Sequence, residues 1–286
     1  MALLDGILTT LVYILSGFLL FLIGKAAYKL FNPKVQVSDQ LVEHDNLAFA
    51  FSYVGYFVGL LIALGSALSG ESDGLVADLI HIATYGILAI VLLNLSRIIN
   101  NKLILSKFDL KHSIVEQENV GAGIIQGANS IAIGLIVYGA ITGDGQGIGG
   151  PEVTAILYWL LGQLILFITT KVYDLITPYD IQDHVEKGNV AVAVGFSGAI
   201  IAIANLICNA LLHDFQSWII TLEDVGFEVA LGLIFLPIAR LFCDKILLPG
   251  QNLTDELINQ EKPNIGAALV EAFAYAGGSM LIVWAL

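Results

Sequence analysis

Basic residues are scarce in this chain, and the few present stand on one side. Twelve Lys and Arg face 25 Asp and Glu across 286 residues, a net charge of −13. With a pI of about 4.6 and no basic stripe, nucleic acid is excluded as a partner. Cysteine is confined to Cys208 and Cys243. There is no CxxC or Cys/His spacing, so neither a disulfide framework nor a zinc site is expected. Catalytic triads and dinucleotide fingerprints are missing, and the Gly-rich turn 143–150 lacks the Lys-Ser/Thr ending of a phosphate loop. The sequence therefore offers no catalytic residue, cofactor or metal, and it reads as a non-enzyme. Polar surface is short as well. With 57% hydrophobic residues, 13% charged and a mean hydropathy of +0.84, too little remains to coat a soluble globule.

What the chain has instead is apolar length. A helix needs about 20 mostly apolar residues to cross a bilayer, and eight stretches qualify: 3–31, 46–69, 76–101, 119–142, 153–176, 189–212, 217–247 and 264–285. The expected fold is all-α, a polytopic membrane protein of eight transmembrane helices with the lipid bilayer as its first partner. All twelve bases, among them Lys25, Arg97, Lys171 and Arg240, fall at the end of an odd helix, in the connector that follows, or at the start of an even one. The positive-inside rule makes that side cytoplasmic and sends both termini outward. The opposite side carries Asp5, Glu71, Asp73, Asp78, Asp144, Glu152, Asp214, Glu223 and Asp224 with no Lys or Arg. The first ten residues show no basic n-region or small-residue cleavage site, so the first helix is expected to be retained. Cys208 is expected near the outer surface and Cys243 near the inner one, too far apart to bridge.

A motif recurs four times: Glu43-x-x-Asn46, Glu116-x-x-Asn119, Glu186-x-x-Asn189 and Glu261-x-x-Asn264, its Asn residues 73, 70 and 75 positions apart. A unit of that size holding two hydrophobic segments predicts a helical hairpin duplicated into four tandem repeats. Two four-helix domains follow, residues 1–143 and 144–286. The even helices are dense in small residues, as in Gly55-x-x-x-Gly59, Gly123-x-x-x-Gly127, Gly195 with Gly198, and Gly277-Gly278. In lipid, small residues let helix backbones approach and pack, so the even helices are predicted to form the inner layer and the odd ones to face lipid. Each motif opens Glu-x-x-Asn-(aliphatic)-(Gly or Ala) and is preceded by an acid, Asp39, Asp109, Asp180 or Asp255. This tandem pattern resembles the YjfL-like family of small bacterial inner-membrane proteins, a four-helix domain here present twice. The resemblance implies an integral, multi-pass bacterial inner-membrane protein with no established enzymatic activity, and in such a membrane the outward termini given by the positive-inside rule are periplasmic. It brings no catalytic residue with it.

Two sets of residues remain as functional candidates. The first is the motif itself. Asn46, Asn119, Asn189 and Asn264 are suited to cap their helices, yet Ser, Thr or Asp would cap about as well, so four Asn point to a use for the amide. With Glu43, Glu116, Glu186 and Glu261 they either fold the connectors or form a ring of carboxylates at an inner mouth, if the hairpins close around a centre. The second set is polar and inside the membrane. Glu271 lies seven residues beyond Asn264, and Gln126 holds the same position after Asn119. Tyr275 follows Glu271 at i+4, Gln163 is placed at similar depth, and Glu228 lies within the run that ends at Arg240. Intramembrane ionisable groups mark ion or proton paths unless they serve as interhelical glue. The leading expectation is therefore binding or passage of a small cation or proton along the even-helix interior. The alternative is a non-transporting scaffold or envelope-stress protein, with a homo-oligomer or a membrane-stress protein as its partner at the cytoplasmic connectors.

Overall fold

A computed structural model describes residues 2–69, 72–104, 106–143, 147, 149–213, 215–248 and 250–286, with side chains from residue 6 onward. Asp5, Glu71, Asp144, Asp214 and part of the 143–150 turn, all invoked from the sequence, lie outside the described residues or side chains. Eight helices are long and apolar enough to cross a membrane. They are α1 (Ala2–Phe31), α2 (Leu47–Leu68), α3 (Leu75–Leu103), α4 (Val120–Thr142), α5 (Pro151–Ile176), α6 (Val190–Leu212), α7 (Trp218–Phe242) and α8 (Ile265–Ala285). No strand occurs among the described residues. The all-α class and the eight spans stand as expected, with boundaries moved by a few residues at most, save that α7 ends at Phe242 and residues Cys243–Leu247 continue it as a π-helical turn.

Local chemistry places the helix ends. Each even helix starts after a motif Asn in extended conformation, and that Asn accepts the backbone N–H three residues on. This satisfies one of the orphan donors that every helix N-terminus leaves. Pro151 opens α5, where its missing N–H costs nothing. The connectors on the basic side are not plain loops. They carry short helices at Leu110–Val115 and Ile181–Glu186, and π-helical turns at Asp39–Glu43 and Asp255–Asn259. Asp109 and Asp180 cap the two short helices.

The even helices α2, α4, α6 and α8 stand in a row, each packed on the next, with α2 and α8 at its ends. Backbones meet at the glycines. A Cβ added to Gly55 would lie 2.2 Å from the Gly127 Cα, one on Gly123 2.1 Å from the Ala48 carbonyl oxygen, and one on Gly198 2.4 Å from the Ala272 Cα. Only a residue without a side chain permits that approach, and the gain is dense van der Waals contact where lipid supplies no hydrophobic drive. The odd helices flank the row: α1 and α3 beside α2, α5 beside α4 and α6, and α7 beside α6 and α8.

Two expectations change here. The inner layer is α4 and α6, buried along most of their length, whereas α8 at the end of the row exposes Leu269, Phe273, Leu281 and Trp284. Odd α5, by contrast, buries Tyr158, Trp159, Leu166 and Tyr173. The row also has no centre, so the four motif Glu do not form a ring. Each of Glu43, Glu116, Glu186 and Glu261 is exposed on its own connector.

Gly123→Ala is expected to lower unfolding stability in detergent by about 1–3 kcal/mol, because its methyl has only backbone to displace. Gly226→Ala, where a Cβ meets nothing within 4 Å, is expected to be neutral or to stabilise by up to about 1 kcal/mol through helix propensity. Unfolding midpoints of the two variants check the contrast.

Candidate functional site

The motif Asn has a second task besides capping. Its Nδ2 donates to a backbone carbonyl of the next connector in sequence. Asn46 reaches the Ile114 carbonyl at 2.8 Å, Asn119 the Val185 carbonyl at 2.7 Å and Asn189 the Leu257 carbonyl at 2.9 Å. Asn264, with no further connector to reach, donates instead to Glu256 at 2.8 Å. Asp, Ser or Thr could accept at the cap, but none presents an amide donor alongside its acceptor. The demand on the amide is thus structural: it ties each even helix to the connector after it. Each of these side chains is engaged at both its oxygen and its Nδ2, and those of Asn46 and Asn119 are buried.

A second link crosses the connectors at their surface. Lys107 hydrogen-bonds Asp180, and its backbone N–H donates to Gln182 Oε1 at 3.0 Å. Lys107 holds the Asp180 carboxyl below its ordinary value, and the same bond raises Lys107 above its own. Both side chains are about half exposed, so solvent screens the pair and its worth is small.

The intramembrane candidates do not form one belt. Glu271, with no exposed surface, accepts from Arg240 Nη1 at 2.7 Å and from the Tyr275 hydroxyl at 3.0 Å. The Tyr173 hydroxyl donates onward to that of Tyr275 at 3.2 Å. Arg240 also donates to Thr254 at 3.0 Å and lies 5.7 Å from the ring centre of Tyr179. Burial pushes the Tyr179 phenol up to about 12, so it stays a neutral platform for the cation. Gly195 gives the carboxylate its room, for a Cβ there would lie 2.4 Å from Glu271 Oε2. Glu271 and Tyr275 are therefore brought together as expected.

Gln126 and Gln163, named with Glu271 as one belt, are elsewhere. Gln126 accepts from Ser52, and Gln163 accepts from Asn100 at 3.0 Å, which donates also to Asn129 at 3.3 Å. Glu228 lies toward the acidic face, where Asn209 donates to it at 3.0 Å and His213 Nε2 is 3.7 Å away. The reason is the row: polar side chains meet across each helix-to-helix seam in turn, and no common axis gathers them. Sequence reasoning missed Arg240, reading it only as an orientation signal. It also passed over Arg97, Asn100, Tyr173 and Asn209. The usable clue was depth, since Arg240 stands close to the end of α7 and Glu271 close to the start of antiparallel α8. Cys208 and Cys243 are both buried and free, and no metal-binding cluster of His, Cys, Asp and Glu occurs among the described residues.

Residues 2–141 and again 146–286 match the family described as Domain of Unknown Function (DUF350). A relative in Aquifex aeolicus (strain VF5), a UPF0719 transmembrane protein, is 25% identical over 259 residues, covering 85% of this chain and 94% of that protein. No solved structure matches.

Arg240→Ala strands a buried carboxylate and is expected to cost about 3–5 kcal/mol, with Glu271→Gln costing less and the double variant recovering part of the loss. Denaturant unfolding in mixed micelles measures all three. At the connectors the signs are opposite at the two ends of the pH scale. The lowered Asp180 adds stability above its ordinary 3.8 and loses it as pH falls through the folded value. The raised Lys107 adds stability below its ordinary 10.5 and loses it as pH rises through the folded value. The hydrogen-exchange protection factors of the 181–186 amides, observed rates divided into the intrinsic rates at the same pH, are expected to fall at acid pH in the native chain, while Asp180→Asn is already less protected at neutral pH and shows less further acid dependence.

Proposed function

This chain belongs to the DUF350 family, and from that premise we propose that it is a non-transporting scaffold of the bacterial inner membrane. It is a multi-pass membrane protein of a family without an assigned activity. In this reading the basic connectors face the cytoplasm, both termini face the periplasm, and a partner protein docks on the connectors. The observation that carries the reading is the run of Asn amides from one connector to the next. It turns four short segments into one fixed rim that displays Glu43, Glu116, Glu186 and Glu261 to solvent. A transporter needs something else, a hydrated interior. The cavities flanking α6, beside Phe196 and beside Ile203, measure about 10 Å³ each, room for about one water, and a larger one of about 90 Å³ at Gln126 is walled on one side by the connectors, at Val35, Lys111 and Val115.

A second reading is favoured by one observation. Glu271 Oε2 and Glu228 Oε2 are buried without a hydrogen-bond partner among the described residues. Each could take up a proton or a small cation locally. Proteoliposomes separate the two readings. The scaffold reading expects no H⁺, Na⁺ or K⁺ flux above protein-free vesicles, for the native chain and for Glu271→Gln alike. Flux in the native chain that vanishes in Glu271→Gln would instead establish the cation reading. In cells, photocrosslinking from position 116 is expected to trap a protein adduct that is lost when Glu43, Glu186 and Glu261 are changed to Lys. A crosslinking pattern unaltered by those changes would overturn docking at the rim.

A further inference from the structure

The two halves of the chain each place a largely buried Arg near the Tyr of the first helix of that half, and they differ in what meets it. In the second half, Arg240 near the end of α7 faces Glu271, seven residues after the motif Asn of α8. In the first half, Arg97 near the end of α3 holds the place of Arg240, and position seven after the motif Asn of α4 is Gln126. Tyr28 at the end of α1 corresponds in the same way to Tyr173 at the end of α5. The carboxylate is what differs. Arg97 is only 6% exposed. Its guanidinium carbon lies 5.1 Å from the Tyr28 ring centre and 4.8 Å from that of Tyr56. Its Nε has no hydrogen-bond partner, the Tyr28 side chain is within hydrogen-bonding reach of the guanidinium, and Arg97 forms no ion pair among the described residues.

A buried guanidinium is costly unless an anion meets it. Beside Arg97 is a cavity of about 90 Å³, lined by Asn32, Ser52, Asn101, Lys111 and Gln126 as well as Tyr28. The polar lining is made of donors and amides, with a second cation in Lys111 and no acid. The cavity is smaller than the roughly 300–1,000 Å³ of drug-sized sites, which suits one oxyanion group and excludes a nucleotide. It opens among the connectors of the basic face, where Asn32 and Lys111 stand.

We propose that this cavity binds a small oxyanion on Arg97, the group that the second half supplies internally as the Glu271 carboxylate. Planar guanidinium and tetrahedral or planar oxyanion match in a two-point, charge-assisted hydrogen bond. Lys111 adds a point charge at the entrance, and Asn101 and Asn32 add neutral donors. The oxyanion is either free in solution or the phosphate of an anionic lipid headgroup. The site is independent of the scaffold reading, which concerns the opposite partners of the exposed rim.

The test uses the full chain in nanodiscs of phosphatidylcholine, titrated with inorganic phosphate by calorimetry and by the shift of the unfolding midpoint, since a ligand of the folded state raises that midpoint. The expected result is one phosphate per chain. Gln126→Glu places a carboxylate opposite Arg97 and is expected to weaken phosphate binding by at least about tenfold. Lys111→Ala removes the point charge at the cavity entrance and is expected to weaken phosphate binding several-fold, a readout that holds even where Gln126→Glu does not fold, and binding that it leaves unchanged counts against the proposal. If phosphate does not bind but native mass spectrometry shows one phosphatidylglycerol retained by the native chain and released by Gln126→Glu, the headgroup is the source. A native chain that holds neither, or binding that Gln126→Glu leaves unchanged, overturns the proposal.

Discussion

Backbone pressed against backbone along α2, α4, α6 and α8 is the constraint from which the rest of this structure follows. Lipid offers helices no hydrophobic reward for meeting, so the meeting rests on close contact, and close contact rests on Gly55, Gly123, Gly127 and Gly198. A helix that is held against its neighbour on each side builds a row, and a row leaves no lumen. It also sets the connectors side by side, within one side chain's reach of each other. The Asn amides can then bridge them, and Asn264, at the end of the row, turns back to its own connector. The ends are finished differently from the middle. Bulky Val54 and Leu61 on α2, and Phe273 and Trp284 on α8, are exposed where the inner seams carry Gly and Ala, the pattern of terminal units in repeat proteins.

Along that row and between it and the flanking helices, the polar side chains are distributed by seam. Hydrocarbon offers them no hydrogen bond, so a polar side chain left without a protein partner is costly. Gln163 finds Asn100, Gln126 finds Ser52 and Glu271 finds Arg240. Arg97 is a buried cation with the side chains of Tyr28 and Tyr56 beside it and a cavity alongside. Where the second half sets Glu271 against Arg240, the first half sets Gln126 beside Arg97, and no carboxylate meets that cation among the described residues.

The spans, the helix class and the caps were readable in the chain because they depend on local properties: apolar length, a motif, and a side-chain acceptor three residues from its donor. The small-residue faces were readable too, since packing in lipid leaves that compositional trace. The partner of Glu271 was not. Arg240 carries an orientation signal strong enough to account for its presence, and nothing in one dimension says which antiparallel helix lies opposite. The polar belt failed for the same reason. Equal depth in the membrane is legible from spacing, but shared depth is not shared space, and only the order of helices in the row decides which side chains touch. The use of the Asn amide was half legible: four Asn where Ser or Asp would cap implied a donor, while its acceptor, a carbonyl about 70 residues away, required the fold.

The row itself is open to direct measurement. Val54 on α2 and Phe273 on α8 are both exposed, at 59% and 69%, and can be replaced by Cys in a chain freed of Cys208 and Cys243 and then spin-labelled. Neighbouring helices are about 8–10 Å apart, and three such steps separate the labelled helices. Pulsed electron resonance in nanodiscs is expected to give a distance of about 25 Å or more, at protein dilution that removes pairs between molecules. A distance below about 15 Å would place α2 beside α8, close the row into a ring around a shared interior, and contradict the account.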